Sequence, residues 1–184
     1  MTRIGTFLIG ALLAGAAAPA LAAPDGAQSF AAFVKVCGAT HVDYPAVQAA
    51  ADANGWKPTQ VKSDAFPGAT VTESLSRDSS VGGSALTLYA WRGAKGAFQM
   101  SECTVRVGKG QFAEMQGLAQ SWLGFAPQSA TAKKATFLFT DQGDTHKALA
   151  SADQDAAAAG TGMQILTVGG DDDGAILGIL KIKK

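Results

Sequence analysis

The hydrophobic period changes partway along this chain, and that change restricts the fold more than any other feature. Before Trp56 the apolar residues recur at helical spacing; from Ala69 they alternate with polar ones. Phe30, Phe33, Val34 and Cys37 stand at i, i+3, i+4 and i+7, which places them on one helical face. Asp25 and Gln28, three apart, supply an N-cap and its capping-box partner, and Gly38 supplies a stop. A second short helix begins at Pro45, whose fixed φ suits the first helical position, and runs through Val47 and Ala51. Gly55 ends it, with Trp56 packed beside the turn, and Pro58, Pro67 and Gly68 bound an irregular connection.

The alternating stretch begins with Val71 and Leu75 on one side of a strand and Thr70, Thr72, Ser74 and Ser76 on the other. Asp78-Ser79-Ser80 with Gly82-Gly83 reads as a turn. In the next strand, Ala85 to Trp91, Leu86, Leu88 and Ala90 share one face and Thr87, Tyr89 and Trp91 the other. Gly93 and Gly96 bracket a second hairpin loop. Phe98 and Met100 then have opposite parity to Cys103, Val105 and Val107, which asks either for a bulge near Ser101 or Glu102 or for a sheet covered on both faces.

Helical spacing returns at Phe112, Met115, Leu118, Ala119 and Trp122, with Gly124 as cap. Lys134 to Thr140 is a strand with Ala135, Phe137 and Phe139 on one face. Asp144 caps an alanine-rich helix from Thr145 to Ala159, or else Thr145 to Ser151 pairs as a strand across the Asp141-Gln142-Gly143 turn. Met163 to Val168 and Ala175 to Lys183 form a closing hairpin joined by Gly169 to Gly174. Strands joined by short turns, with helices grouped apart from them, specify an α+β fold in which helices pack on an antiparallel sheet. No composition shift divides the chain, so a single domain is expected over 23–184.

Arg3, the apolar run Ile4 to Ala18, the break at Pro19 and the small-x-small site Ala20-Leu21-Ala22 have the form of a cleavable export signal over 1–22. The run is shorter than the roughly twenty apolar residues of a permanent span. The mature chain is expected to start at Ala23, in the periplasm or secreted, with no integral membrane segment. The 15 basic and 15 acidic residues balance, so no basic face draws the chain to nucleic acid or anionic lipid. Cys37 and Cys103 are the only cysteines, and in an oxidising compartment they read as a disulfide. It would tie the first helix to the third strand across a loop of about 67 residues, for which chain entropy supplies about 4 kcal/mol. A catalytic thiol at Cys37 beside His41 is the competing reading, and it would leave Cys103 unpaired.

The residue patterns that carry chemistry are incomplete. Asp171-Asp172-Asp173-Gly174 lacks the spacing of a calcium loop, since position five is Ala175 and position twelve Ile182. His41 and His146 are the only histidines, without a paired-histidine zinc motif, and read as two surface residues. Gly82-Gly83-Ser84-Ala85-Leu86 matches half a serine elbow and precedes a strand. Gly108-Lys109-Gly110 opens like a phosphate loop that nothing completes. Glu73, Glu102 and Glu114 read as scattered acids. No metal and no cofactor is expected, and no catalytic set is assembled.

Among the tryptophans, Trp122 reads as core. Tyr89 and Trp91, together on one strand face, are the candidate binding surface, set against burial of Trp91 beneath a helix. The helix holding Cys37, the Gly55-Trp56 pair, the strand holding Cys103 and the Trp122 helix, behind an exported N-terminus, resemble a group of small uncharacterised exported proteobacterial proteins with two cysteines. That resemblance implies compartment and disulfide and lends no activity. The expected function is a non-enzymatic, envelope-associated module that binds another envelope protein, of the inhibitor or immunity kind. A small periplasmic hydrolase, or a domain that binds a small ligand, is the alternative.

Overall fold

A computed structural model describes residues 25–60, 66–108, 112–143, 145–171 and 174–184. The export signal with its cleavage site, the Asp25 side chain, Lys109, Gly110, Asp144 and the tip of the Asp171–Asp173 turn lie outside the described residues or side chains.

The first helix, α1 (Asp25–Phe33), passes into a π turn over Val34–Gly38. A wider turn advances the buried stripe by one residue. Val36 and Cys37 are therefore buried beside Phe30 and Phe33, and Val34 is only partly covered. Helix α2 (Tyr44–Ala53) starts at Asp43, whose carboxylate accepts from the Ala46 N–H at 3.2 Å, with Pro45 in the first turn. Gly55 closes it at φ 73°, and Trp56 is buried.

The strands are β1 (Lys57–Pro58), β2 (Thr70–Val81), β3 (Ser84–Lys95), β4 (Phe98–Val107), β5 (Ser129–Ala130), β6 (Lys134–Gln142), β7 (Thr145–Ala148), β8 (Met163–Asp171) and β9 (Gly174–Lys183). Helix α3 (Phe112–Leu123) lies between β4 and β5 in the chain, and α4 (Gln154–Ala159) between β7 and β8. All nine strands join one antiparallel sheet in the order β1-β2-β3-β4-β9-β8-β6-β5, with β7 on β6.

That order is palindromic. Outward from the central β4–β9 pair run β3, β2 and β1 on one side and β8, β6 and β5 on the other. Each half is helix, short edge strand, then a three-strand meander, and α1 touches α3 on the shared face. The halves differ before the edge strand, where only the first carries α2, and at one strand junction. β2 and β3 are joined by a two-residue turn, Gly82-Gly83, with φ of 58° and 81°, the left-handed pair that suits a tight hairpin. Between β6 and β8 the second half instead carries β7 and α4.

On the inner face Leu86, Leu88 and Ala90 of β3 meet Cys103, Val105 and Val107 of β4, Leu177 and Ile179 of β9, Leu166 and Val168 of β8, and Phe137 and Phe139 of β6. Helices α1, α2 and α3 cover them with Phe33, Val47, Met115 and Ala119. Cys37 and Cys103 are bonded inside this layer, with Cα atoms 5.5 Å apart.

Several strand details depart from expectation. The β3–β4 register is unbroken from Lys95↔Phe98 to Leu86↔Val107, so β4 has no bulge there. Met100 is buried on the outer face, where Ala158 of α4, Met163 and Ile182 line the same recess; the parity conflict is resolved by covering both faces. The irregularity lies instead in β2, between Val71 and Glu73, which leaves Val71 exposed and Leu75 buried. Asp78, Ser79 and Ser80 are strand rather than turn, because the Gly pair alone reverses the chain. Thr145–Ala148 is a strand, and the alanine-rich helix shrinks to α4.

Candidate functional site

The outer face of the sheet carries the residues singled out as a binding surface. Thr87, Tyr89, Glu102, Thr104 and Arg106 line one wall of a groove of about 490 Å³ there, and Ile165, Thr167, Ile176 and Leu180 line the other, with Phe66 at its rim. Gly178 forms part of the floor on β9: a Cβ at that position would lie 2.9 Å from the Thr104 hydroxyl. Tyr89 stands in this groove. Trp91 does not; it is 0% exposed, and its indole N–H donates to Glu102 Oε2 at 2.8 Å. Trp91 is therefore no surface anchor. It braces Glu102, whose other oxygen accepts from the Thr104 hydroxyl at 3.0 Å.

A second cluster lies where the palindrome breaks. The chain between the π turn and α2 passes through two left-handed residues, His41 at φ 50° and Val42 at φ 57°. That region is unfavourable for any side chain and most of all for a β-branched one. Three backbone hydrogen bonds hold the turn, His41 N–H to Gly38 C=O at 3.0 Å, Val42 N–H to Cys37 C=O at 3.3 Å and Asp43 N–H to Thr40 C=O at 3.0 Å, and burial of Val42 holds it further. The His41 imidazole then reaches Asp141 at the end of β6, Nδ1 to Oδ2 at 2.7 Å. The other carboxylate oxygen meets Nδ1 of His146 on β7 at 2.9 Å, and the Gln164 side-chain amide donates to the same carboxylate.

The two histidines are thus not separate surface residues: one carboxylate joins them. Their environments differ. The His146 side chain is 12% exposed and its ring packs 4.5 Å from Trp122 and 5.3 Å from Phe139, centroid to centroid. The His41 side chain is 46% exposed and Asp141 16%. His41 and Asp141 line an open cleft of about 320 Å³ with Gly143, Thr161, Gly162, Gln164 and Lys181. The Lys181 ammonium donates to the His41 carbonyl at 3.2 Å, a further tie on the strained turn.

No local pattern could have revealed this cluster. His41 and Asp141 are 100 residues apart in the chain, and only the pairing of β7 with β6, Asp141↔His146, brings the second imidazole in. The acids considered together do not converge: Glu73 pairs with Arg92, Glu102 braces Trp91, and Glu114 on α3 stands beside Gly26. Among the described residues no group of three or more His, Cys, Asp or Glu is placed to hold a metal ion, and no helix is long and apolar enough to cross a membrane. Compared with known protein families, curated proteins and solved structures, the chain has no match.

Proposed function

We propose that this chain is an exported module that binds another protein of the cell envelope through the outer face of its sheet. The observation that carries the reading is the two-walled groove around Gly178, hydroxyl-bearing and charged on one side and, Thr167 apart, aliphatic on the other. Three helices pack on the inner face, and on the outer face, among the described residues, Ala158 of α4 and Phe66 line the recess beside Met100. The groove's volume lies within the range of ligand-holding clefts, and its aliphatic wall has no charge to repel an apolar ridge. Its chemistry matches an amphipathic segment, apolar along one side and bearing hydroxyl or amide groups along the other. The disulfide and the N-terminal sequence pattern favour an oxidising compartment as the place where it works.

Photo-crosslinking in cells tests this. A photoreactive residue at Tyr89 or Ile176 should give one defined adduct, whose cross-linked peptide is an amphipathic stretch of an exported protein. The same probe at Gln120, on the exposed side of α3, should not give it. Absence of an adduct at both groove positions, or the same adducts from Gln120, overturns the proposal.

A further inference from the structure

We infer that the cleft at the break in the palindrome is a hydrolytic site for small carboxylic esters, with His41 as general base. The first half of the sheet joins its corresponding strands with two glycines, so the fold itself does not require the longer connection that brings Asp141 and His146 together. The turn at His41 and Val42 holds two non-glycine residues in the left-handed region, a cost that persists where surrounding structure enforces it and that clusters at working sites. The disulfide at Cys37 fixes the chain four residues before His41.

Asp141 binds Nδ1 of His41, which sets the tautomer with Nδ1–H as donor and leaves the Nε2 lone pair for chemistry. His146 and Gln164 hold the carboxylate in turn, so Asp141, His146 and Gln164 are positioning residues. Among the described residues the cleft's lining has no serine or cysteine, and its one side-chain hydroxyl belongs to Thr161. Water is accordingly the nucleophile. His41 Nε2 takes a proton as the water oxygen bonds to the ester carbonyl carbon, and the carbonyl π pair moves onto oxygen. Lys181, in the same cleft, supplies the positive charge for that oxyanion. On collapse the C–O bond to the alcohol breaks and the departing alkoxide takes the proton back from His41. Acid and alcohol leave, and the imidazole is neutral again.

The test uses the purified full chain with p-nitrophenyl acetate, following p-nitrophenolate release. Wild type should exceed free imidazole at equal concentration by about a hundred-fold or more, the contribution expected of a positioned general base. His41→Ala should lose that excess and, once the rate of the same imidazole without protein is subtracted, regain part of it with added imidazole, a rescue that a merely structural role would not give. His41→Gln, which can still hydrogen-bond Asp141, should be as inactive, so loss of folding is not the explanation. Asp141→Asn should lower kcat more than it raises KM. Wild type no faster than free imidazole overturns the inference, and so does retention of the wild-type rate by both His41 variants.

Discussion

Tyr44 opens α2 with its ring beneath the Arg92 guanidinium, 5.7 Å from the ring centroid, and Arg92 is itself paired with Glu73. Burial raises the phenol above its ordinary value of 10.0; the Glu73 carboxylate pushes the same way, while Arg77 and Arg92 oppose it. As pH rises past about 10 the unfolded chain gives up this proton before the folded one does. The folded state then holds more protons, so stability falls with pH in that window. Tyr44→Phe should flatten the fall: urea unfolding at pH 8, 9, 10 and 11 would show wild type losing stability faster than the variant above pH 10. Identical slopes would mean that the phenol titrates alike in both states. At this scale the sequence is legible where a residue's role depends on near neighbours, as with Pro45, Gly55 and Gly124. It is not legible for Trp91, whose indole partner Glu102 stands opposite it on the next strand, nor for His41, whose partner lies 100 residues away.

Among the elements, α1 is the one most dependent on a covalent tie. It comes first in the described chain, packs on the sheet with Phe30, Phe33 and Cys37, and runs straight into the strained turn. Terminal helices fray unless anchored, and the Cys37–Cys103 bond anchors this one to β4. Closing the loop across a sequence separation of 66 stabilises the fold by about 4 kcal/mol on the chain-entropy account. The Cys37→Ala/Cys103→Ala double variant should therefore melt roughly ten degrees lower than the oxidised protein, given the scaling for a chain of this size. Differential scanning calorimetry would show it, and an unchanged melting temperature would remove the staple's role. Both ends of this bond are readable beforehand, because each cysteine falls on an apolar stripe. The π turn is not, since the apolar residues also satisfy ordinary helical spacing. The β7–α4 stretch is ambiguous for a different reason: alanine fits either conformation, and the pairing of Thr145–Ala148 with β6 decides it.

The palindromic order of the whole sheet leaves no trace as a sequence repeat. Such an arrangement needs only inward apolar alternation, which Leu86-x-Leu88 in one half and Phe137-x-Phe139 in the other meet with different residues. Physically the halves are not separable. The β4–β9 ladder runs from Gln99↔Lys183 to Val107↔Ala175 through the middle of the sheet. Phe30 of α1 packs edge-on to Trp122 of α3 at 6.3 Å between ring centroids, and His41 of the first half binds Asp141 of the second. A boundary between independent units would instead be crossed by few contacts, so the two halves should unfold as one cooperative unit. In a Trp122→Phe variant, the remaining Trp56 and Trp91, both buried, report on the first half by fluorescence, while amide hydrogen exchange along β6 and β8 reports on the second. In urea both probes should give the same unfolding free energy and the same denaturant dependence. Amides of β6 and β8 that exchange through an opening of distinctly lower free energy than the fluorescence transition would show that the second half can unfold alone. In that event the cluster at Asp141 would come apart while the Trp91 side of the sheet stayed folded.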